Sequence, residues 1–212
     1  MLEWSYVLEG LQVTIQIWLG ALALSVILAV PVAALRRSQN RLLKFAGALW
    51  VWLARGIPPV AWLIIIYFGL SLGIISEIPV VAAILGLGIV NSAYIGDSIR
   101  AGLDAVPRGQ REAAQAVSLS GTSAMMRVIL PQAVPIMIAS AAAYSITLLK
   151  NTAIASIIGA NELVFYAYNT VQIGAPALST FFLIGLIYLA FTVPVGFLAR
   201  WIDAKATKGV NA

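Results

Sequence analysis

The sequence predicts an all-α integral membrane protein with about five transmembrane helices. Of its 212 residues, 61% are hydrophobic and only 10% are charged, and the mean hydropathy is +0.97. A soluble domain carries about a quarter charged residues, because its surface must be wetted. Here the few charges divide the chain into long apolar runs. These runs do not alternate polar and apolar residues, which disfavours transmembrane strands.

The apolar runs match the length that a membrane-spanning helix needs, which is roughly 20 residues for about 30 Å of hydrocarbon. The run between Glu9 and Arg36 contains no charge, and the next long run contains only Arg55. The last run is too long for one crossing and is divided by Gly174 and Pro176. In a single domain of residues 1–212, the predicted spans are about 10–35, 45–73, 78–99, 132–150 and 177–199.

Basic residues indicate the orientation of the chain. They cluster in the first connection, in or beside the third connection and in the tail, at Arg36, Arg37, Arg41, Lys44, Arg100, Arg108, Arg111, Arg127, Arg200, Lys205 and Lys208. The opposite face carries Glu3, Glu9, Glu77 and Glu162. The positive-inside rule therefore predicts an N-terminus outside and a C-terminus in the cytoplasm. The same rule explains the net charge of +5, so this charge does not require a nucleic-acid partner.

The composition excludes several kinds of chemistry. The chain contains no Cys and no His, which removes disulfides, thiolate and His-based catalysis, and nearly every zinc or haem site. An enzyme would need a convergent set of acids, bases or metal ligands, whereas Arg55 is the only charge within the apolar spans. A secondary transporter or channel is an alternative. It would be expected to show inverted repeats and intramembrane carboxylates or His, and neither is present.

The third connection, about residues 104–130, is far longer than two neighbouring membrane helices require. We expect a short helix over about 110–119, followed by a turn at 120–123 that caps a second helix rising toward the membrane. Pro131 and Pro135 are then expected to break and re-aim the chain into the fourth span.

The predicted short helix has a face of small side chains: Ala113, Ala114, Ala116 and Val117. Charged residues at its rim are Arg108, Arg111 and Glu112, with Glu112 expected in the first turn, where the helix dipole favours an acid. Small side chains allow close approach to a groove of a partner protein. The alternative is a helix lying on lipid headgroups. Such a helix would normally bury bulky Leu, Phe or Trp side chains, whereas this one carries mainly alanine.

The stretch Glu112-Ala113-Ala114 followed by Leu130-Pro131 resembles the EAA loop of permease subunits of bacterial ABC importers. The surrounding segments SAYIGDSIRAGLDAVPRGQREAAQAVSLSG and RVILPQAVP look like the polar amino acid uptake branch, of the histidine/glutamine type. RGIPP at 55–59 and LLKNTAIASIIG at 148–159 resemble further family segments. The departures are Ser118 for the usual Gly, Val128 for the usual Ile and Asp97 for a common Glu.

The resemblance implies the ABC type I importer permease fold, in the bacterial cytoplasmic membrane. It implies import of a polar amino acid or amino-acid-like solute, with another small solute as the alternative. The expected partners are ABC ATPase subunits, a second permease chain (identical or related) and an extracytoplasmic substrate-binding protein facing Glu162 and 166–169. The chain has no G-x-x-x-x-G-K-[ST] loop, so ATP would be bound by the partner and the chain itself would be neither an enzyme nor a cofactor protein. The implied ATPase-coupling residues are Arg108, Gly109, Arg111, Glu112, Ala113, Ala114, Ser118 and Gly121.

Arg55 is the leading candidate for the solute pathway. It lies eleven residues past Lys44, which along a straight helix is about 16 Å deep. A cation at that depth is costly unless it is paired or hydrated. Gly56 and Pro58 should interrupt the helix beside it, as broken helices do next to cavities. Arg55 could bind an anionic group such as an amino acid carboxylate, or it could cap the carbonyls freed at the break.

Two further polar groups are candidates. Lys150, Asn151 and Thr152 could line the pocket or an external gate, although Lys150 could equally reach outward to the headgroups. Asn91 and Tyr94 add polar groups to the third span, where such residues more often serve helix packing.

Overall fold

The computed structural model describes residues 4–69 and 78–210, and this part of the chain consists of helices joined by short connections. In chain order the helices are α1 (Trp4–Arg37), α2 (Arg41–Gly56), α3 (Pro59–Ile64), α4 (Pro79–Ala105), α5 (Arg108–Ala116), α6 (Gly121–Ala124), α7 (Leu130–Asn151), α8 (Leu163–Gln172) and α9 (Ala177–Val210). A π-helical turn, Ile65–Gly69, extends α3, and another, Met125–Ile129, joins α6 to α7. A 3₁₀ helix, Thr152–Ile158, follows α7. The predicted all-α fold is confirmed.

Among the described residues, 4 helical stretches are long and apolar enough to cross a membrane. They are Trp4–Arg37, Pro79–Ala105, Gly121–Ile158 and Ala177–Trp201, at the places of the first, third, fourth and fifth predicted spans. A helix rises about 1.5 Å per residue, so all four exceed the roughly 30 Å of a hydrocarbon layer. The orientation of the termini stays a prediction from the basic residues.

The second predicted span is a bent pair of helices. The axes of α2 and of α3 with its π-helical turn differ by 100°. Ile57 and Pro58 between them are extended, because proline disfavours the helical conformation in the residue before it and cannot donate a backbone hydrogen bond. The predicted helix break is confirmed. Residues 70–73 of this predicted span lie outside the described part of the chain.

Helix α2 crosses α1 near the last turn of α1. A Cβ atom at Gly47 would lie only 2.9 Å from the Leu35 Cβ and from the Arg36 Cγ, so only glycine permits this close crossing. One turn further along α2, the Trp50 Nε1 donates to the Ser92 Oγ of α4 over 3.0 Å. Helix α2 is thereby fixed to the end of α1 and to the middle of α4.

The core is built from small side chains at helix crossings. Gly88 of α4 lies against Leu24 of α1, where an added Cβ would approach the leucine Cδ2 to 2.7 Å. The neighbouring Ser25 Oγ donates to the Gly88 carbonyl over 3.3 Å. Lipid provides no hydrophobic force that drives helices together, so membrane helices associate through close packing. Small residues allow that close approach. The main apolar cluster joins α1, α3, α4, α7 and the 3₁₀ helix, and it includes Ile17, Ala21, Leu63, Ile66, Ala83, Leu87, Leu148 and Ile158.

The bundle has two ends. We call the end where α1 finishes at Arg37 the basic end, and α5 and α6 follow α4 there. At the opposite end, α8 packs on the start of α1, and a Cβ at Gly10 would lie 3.0 Å from the Leu163 Cα. Gly174, with φ of +101°, ends α8 before α9 begins, at the division that Gly174 and Pro176 predicted.

Pro131 and Pro135 do not break the fourth crossing, so that expectation was wrong. The helix continues from Gly121 to Ile158. A proline ring crowds the carbonyl four residues earlier and removes one hydrogen bond. The π-helical turn immediately before Pro131 closes with the Leu130 N–H donating to the Met125 carbonyl, five residues back. This wider turn gives the ring room without ending the helix.

Gly102→Ala should destabilise the contact between α4 and α7. The new Cβ would lie 2.5 Å from the Met137 Cγ and 2.9 Å from the Ala133 carbonyl oxygen, and overpacking of this kind costs about 1–3 kcal/mol. Gly185→Ala is the matched control, because nothing lies within 4 Å of a Cβ there. Thermal unfolding followed by tryptophan fluorescence should show a lower Tm for Gly102→Ala alone. Equal Tm values for the two variants would contradict this packing.

Candidate functional site

One carboxylate joins three helices at the basic end. Asp97 of α4 accepts hydrogen bonds from Arg36, in the last turn of α1, and from Arg55, in the last turn of α2, the latter over 2.6 Å. The Arg100 Nε lies 3.8 Å from the same carboxylate. Three guanidinium groups therefore surround a single carboxylate, and we call these four residues the Asp97 cluster. The cluster carries a surplus of positive charge.

The position of Arg55 corrects the depth calculated from the sequence. That calculation assumed that α2 rises straight into the membrane from Lys44. Because α2 lies across the end of α1, Arg55 reaches the same carboxylate as Arg36. Its charge is paired, although its side chain remains 42% exposed. Arg55 therefore lies at the level of the last turn of α1.

A small cavity lies next to the Asp97 cluster, between α3, α4 and α7. Its volume is about 160 Å³, and it is lined by Pro59, Leu87, Val90, Asn91, Tyr94, Tyr144, Thr147, Leu148 and Asn151. The rings of Tyr94 and Tyr144 are tilted by 37°, with their centroids 5.1 Å apart. The Arg55 guanidinium carbon lies 4.5 Å from the centroid of the Tyr94 ring. Tyr94 thus belongs to the wall of the cavity and also contacts the cluster.

A buried carboxylate organises the opposite end. Glu162 caps α8 by accepting from the Val164 and Phe165 N–H groups over 2.9 and 2.8 Å. It also accepts from the Tyr188 hydroxyl of α9 over 2.9 Å, and that hydroxyl lies 3.4 Å from the Thr152 Oγ1. Burial raises the pKa of the Glu162 carboxyl from 4.5 to about 7, although all three hydrogen bonds favour the charged form.

Helix α5 is attached to α4 and α7 by hydrogen bonds and by one buried side chain. The Arg111 guanidinium donates to the Leu103 carbonyl over 3.1 Å, and Ala114 is buried. The Gln132 side chain of α7 bonds to Gln110 over 3.4 Å. The remaining surface is free to meet a partner, because the exposed residues of α5 and its end include Arg108, Gly109, Glu112, Ala113, Ala116 and Val117. Glu112 is the fifth residue of the helix, so the expectation that it lies in the first turn was wrong.

Ser118 ends α5 in the left-handed conformation, with φ of +56°. The Leu119 N–H donates to the Ala114 carbonyl over 3.0 Å, and the Ser118 N–H donates to the Gln115 carbonyl over 2.9 Å. This pair of bonds is the Schellman end of a helix, which glycine adopts at no steric cost. Ser118 is the one non-glycine residue with positive φ in the described chain, and its conformation gives the physical reason why a glycine is usual at this place.

Comparison with known proteins gives the family. A family model described as "Binding-protein-dependent transport system inner membrane component" matches residues 10–208. The chain belongs to this family.

The relatives and solved structures agree with this membership. The chain is 29% identical over 206 residues to the probable glutamine ABC transporter permease protein GlnM of Bacillus subtilis (strain 168), which is 97% of this chain and 95% of the relative. It is 30% identical over 219 residues to the probable amino-acid ABC transporter permease protein PatM of Vibrio harveyi, covering 97% of each. A chain of the crystal structure of an amino acid ABC transporter with histidines superposes with a TM-score of 0.88 at 27% identity, covering 95% and 94% of the two chains.

The resemblance to ABC importer permeases is thus confirmed, together with the type I fold and a multi-pass position in the bacterial inner membrane. The residues predicted for the solute pathway fall into three groups in this permease. Asn91, Tyr94 and Asn151 line the cavity. Arg55, Gly56 and Pro58 form the helix end and break beside it. Lys150 is exposed, and Thr152 is buried in the network of Glu162 at the opposite end.

Other residues of the permease site were not predicted. Asp97 is the shared partner in the cluster, and Tyr144 and Thr147 line the cavity. Tyr144 and Thr147 precede Asn151 by seven and four residues, a spacing that places all three on one helix face and could have identified them. The role of Asp97 depends on the position of α2, which crosses the end of α1 at Gly47 and so brings Arg55 to the carboxylate.

The hydrogen-bond network around Glu162, at the end opposite the basic end, should depend on pH. The pKa of Glu162 in the folded protein, about 7, exceeds the ordinary value of 4.5, so the protonated form stabilises the fold. This stabilisation is complete below about pH 4.5 and is lost as the pH rises through about 7. We expect the Tm of the wild type to fall between pH 5 and pH 8, and the slope to be smaller in Glu162→Gln.

Glu9→Gln is the control for this measurement, because Glu9 is an exposed carboxylate at the same end. It should keep the slope of the wild type. Equal slopes for Glu162→Gln and the wild type would contradict the raised pKa.

Proposed function

We propose that the chain is one of two permease subunits of an ATP-driven importer for a polar amino acid or an amino-acid-like solute. The observation that carries this proposal is the surplus of guanidinium charge beside a small cavity whose largely apolar wall contains a few polar side chains. Arg55 contacts Tyr94, which lines the cavity, and three guanidinium groups share the carboxylate of Asp97. A carboxylate is common to all amino acids, and guanidinium–carboxylate pairs are strong, charge-assisted hydrogen bonds.

The cavity also suits the other parts of an amino acid. The ring of Tyr144 favours an ammonium group, since aromatic rings attract cations, whereas the ring of Tyr94 already contacts Arg55. Asn91 and Asn151 offer amide groups for hydrogen bonds with a polar side chain. The volume of about 160 Å³ is below the roughly 300–1,000 Å³ of drug-sized ligand sites, which favours a small solute.

A second permease chain, identical or related, would complete the pathway. About five crossings do not easily enclose a solute path. On the described surface, α2 and the turn after α3 expose Phe45, Trp52 and Phe68 by 65%, 71% and 64%, and a partner helix or lipid would cover these side chains. The names of GlnM and PatM as ABC transporter permeases support the same arrangement with separate ATPase subunits.

The ATPase would bind at α5. This helix presents small and charged side chains on its exposed face and is fixed to α4 and α7 on its other face. A rigid contact of this kind transmits movement of a partner to the membrane helices. ATP would be bound by the partner, because the sequence lacks a phosphate-binding loop.

The substrate-binding protein would dock at the opposite end. There the Tyr6 and Tyr166 rings stack with their centroids 5.2 Å apart, and the Tyr166 hydroxyl donates to the Glu9 carboxylate over 2.8 Å. Tyr168 is exposed on the same helix, α8. Tyrosines of this kind combine an apolar surface with a polar group, which suits a protein interface.

Glu112→Lys should uncouple transport. The variant should insert into the membrane at the wild-type level, because Glu112 is exposed. Loss of one partner of a charged contact costs about 2–5 kcal/mol, so uptake into vesicles should fall at least about ten-fold. Thr122→Lys adds a charge to the exposed part of the same loop outside α5 and should leave uptake unchanged. Wild-type uptake by Glu112→Lys at equal expression would refute docking at α5.

Arg55→Gln should weaken binding of the solute. The transporter, reconstituted with its ATPase and binding-protein partners, is first tested with each of the common amino acids, and the one carried fastest is used as the probe. Hydrogen bonds to charged groups contribute about 1.5–3 kcal/mol, so KM should rise about ten- to a hundred-fold. Arg41→Gln, the same change in the exposed first turn of α2, should keep the KM of the wild type. Uptake of no amino acid, or an unchanged KM in Arg55→Gln, would refute this function for the site.

A further inference from the structure

Arg55 has two partners on α4, one helical turn apart. Its guanidinium is 2.6 Å from the Asp97 Oδ2, and it lies over the ring of Tyr94. Tyr94 also lines the cavity. An Arg55 side chain that leaves Asp97 therefore remains next to the cavity, where the carboxylate of a solute could take the place of the Asp97 carboxylate.

Asp97 does not need Arg55 to remain neutralised. Arg36 and Arg100 both approach its other oxygen, Oδ1, whereas Arg55 binds Oδ2. An unpaired charge is costly in a partly buried position, so a carboxylate with only one partner would lose that partner at a high cost in free energy. Because Arg36 stays in place, release of Arg55 leaves no unpaired carboxylate. The exchange of partners is therefore inexpensive on the protein side.

Arg55 is also less enclosed than Arg36. Its side chain is 42% exposed, compared with 21% for Arg36. It lies in the last turn of α2, and the next residue, Gly56, has no neighbouring atom within 4 Å of a Cβ position. The chain leaves the helix immediately afterwards at Ile57. Arg36 differs, because the backbone beside it is closely packed against Gly47.

We propose that Asp97 is an internal competitor for the solute carboxylate: it holds Arg55 while the cavity is empty and exchanges Arg55 with the incoming anion while it remains paired to Arg36. Asp97 is thus a positioning residue that sets how tightly the solute is held. The return of Arg55 to Asp97 displaces the solute carboxylate and promotes release. This inference rests on the proposed function, because it needs Arg55 to bind the solute.

The competition predicts opposite effects of two variants on KM. Asp97→Asn removes the competitor, so KM should fall, and kcat should fall with it because release is no longer assisted. Arg36→Gln leaves the Asp97 carboxylate more dependent on Arg55, so KM should rise. A partly exposed ion pair contributes up to about 1 kcal/mol, which corresponds to changes of about two- to five-fold. General destabilisation would not move KM in opposite directions.

The assay is uptake by the reconstituted transporter, with the amino acid that the wild type carries fastest as the probe. Asp104→Asn is the matched control, because Asp104 lies two turns further along α4 and pairs with Arg37 over 2.5 Å, outside the cluster. It should keep both constants of the wild type. In an Arg55→Gln background, neither Asp97→Asn nor Arg36→Gln should change KM further, since a coupling between two residues disappears when one is removed.

The outcomes separate the two proposals. If Arg55→Gln leaves KM unchanged, the proposed binding of the solute by Arg55 is wrong, and the competition fails with it. If Arg55→Gln raises KM but Asp97→Asn and Arg36→Gln change it in the same direction or not at all, only the competition is overturned. If Asp97→Asn fails to assemble, the test uses Arg36→Gln, alone and in the Arg55→Gln background. An unchanged KM in Arg36→Gln alone overturns the proposal.

Discussion

The arrangement of this permease depends on one carboxylate in a largely apolar chain. Asp97 is shared by guanidinium groups from the ends of α1 and α2, and both helices are therefore fixed to α4 at the same level. Charges within a largely apolar protein are tolerated when they are paired or hydrated, and here the pairing joins α2 to both long helices. Because α2 crosses α1 at Gly47, the chain has to bend before α3 can run beside α4. The cavity is formed next to that bend.

The two ends of the molecule use their charged groups differently. At the basic end, several arginines share few acids, and the surplus charge is half-exposed next to a cavity. At the opposite end, Glu162 is fully enclosed and its hydrogen bonds connect the start of α8 to Tyr188 of α9. The first arrangement suits an exchange of ionic partners, and the second suits a fixed connection between helices. Helix α5, attached to α4 near the cluster, connects the basic end to the surface where we propose that the ATPase docks.

The sequence predicted the features that depend on local composition. Long apolar runs predicted the spans, Pro58 predicted the break after α2, and the resemblance at Glu112 to Ala114 predicted the family. The direction of α2 could not be predicted, because it depends on the packing of Gly47 against Leu35 and Arg36 of α1, a contact between helices that residue types do not reveal. For that reason the depth of Arg55 and its pairing with Asp97 were missed. The continuity of α7 through Pro131 was missed because a π-helical turn cannot be recognised from residue types alone.

The most direct test of the account is a structure of the assembled transporter with its amino acid bound. The account predicts the solute carboxylate within hydrogen-bonding distance of the Arg55 guanidinium, beside Tyr94, while Asp97 remains paired to Arg36. A bound amino acid located elsewhere, with Arg55 still on Asp97, would contradict it.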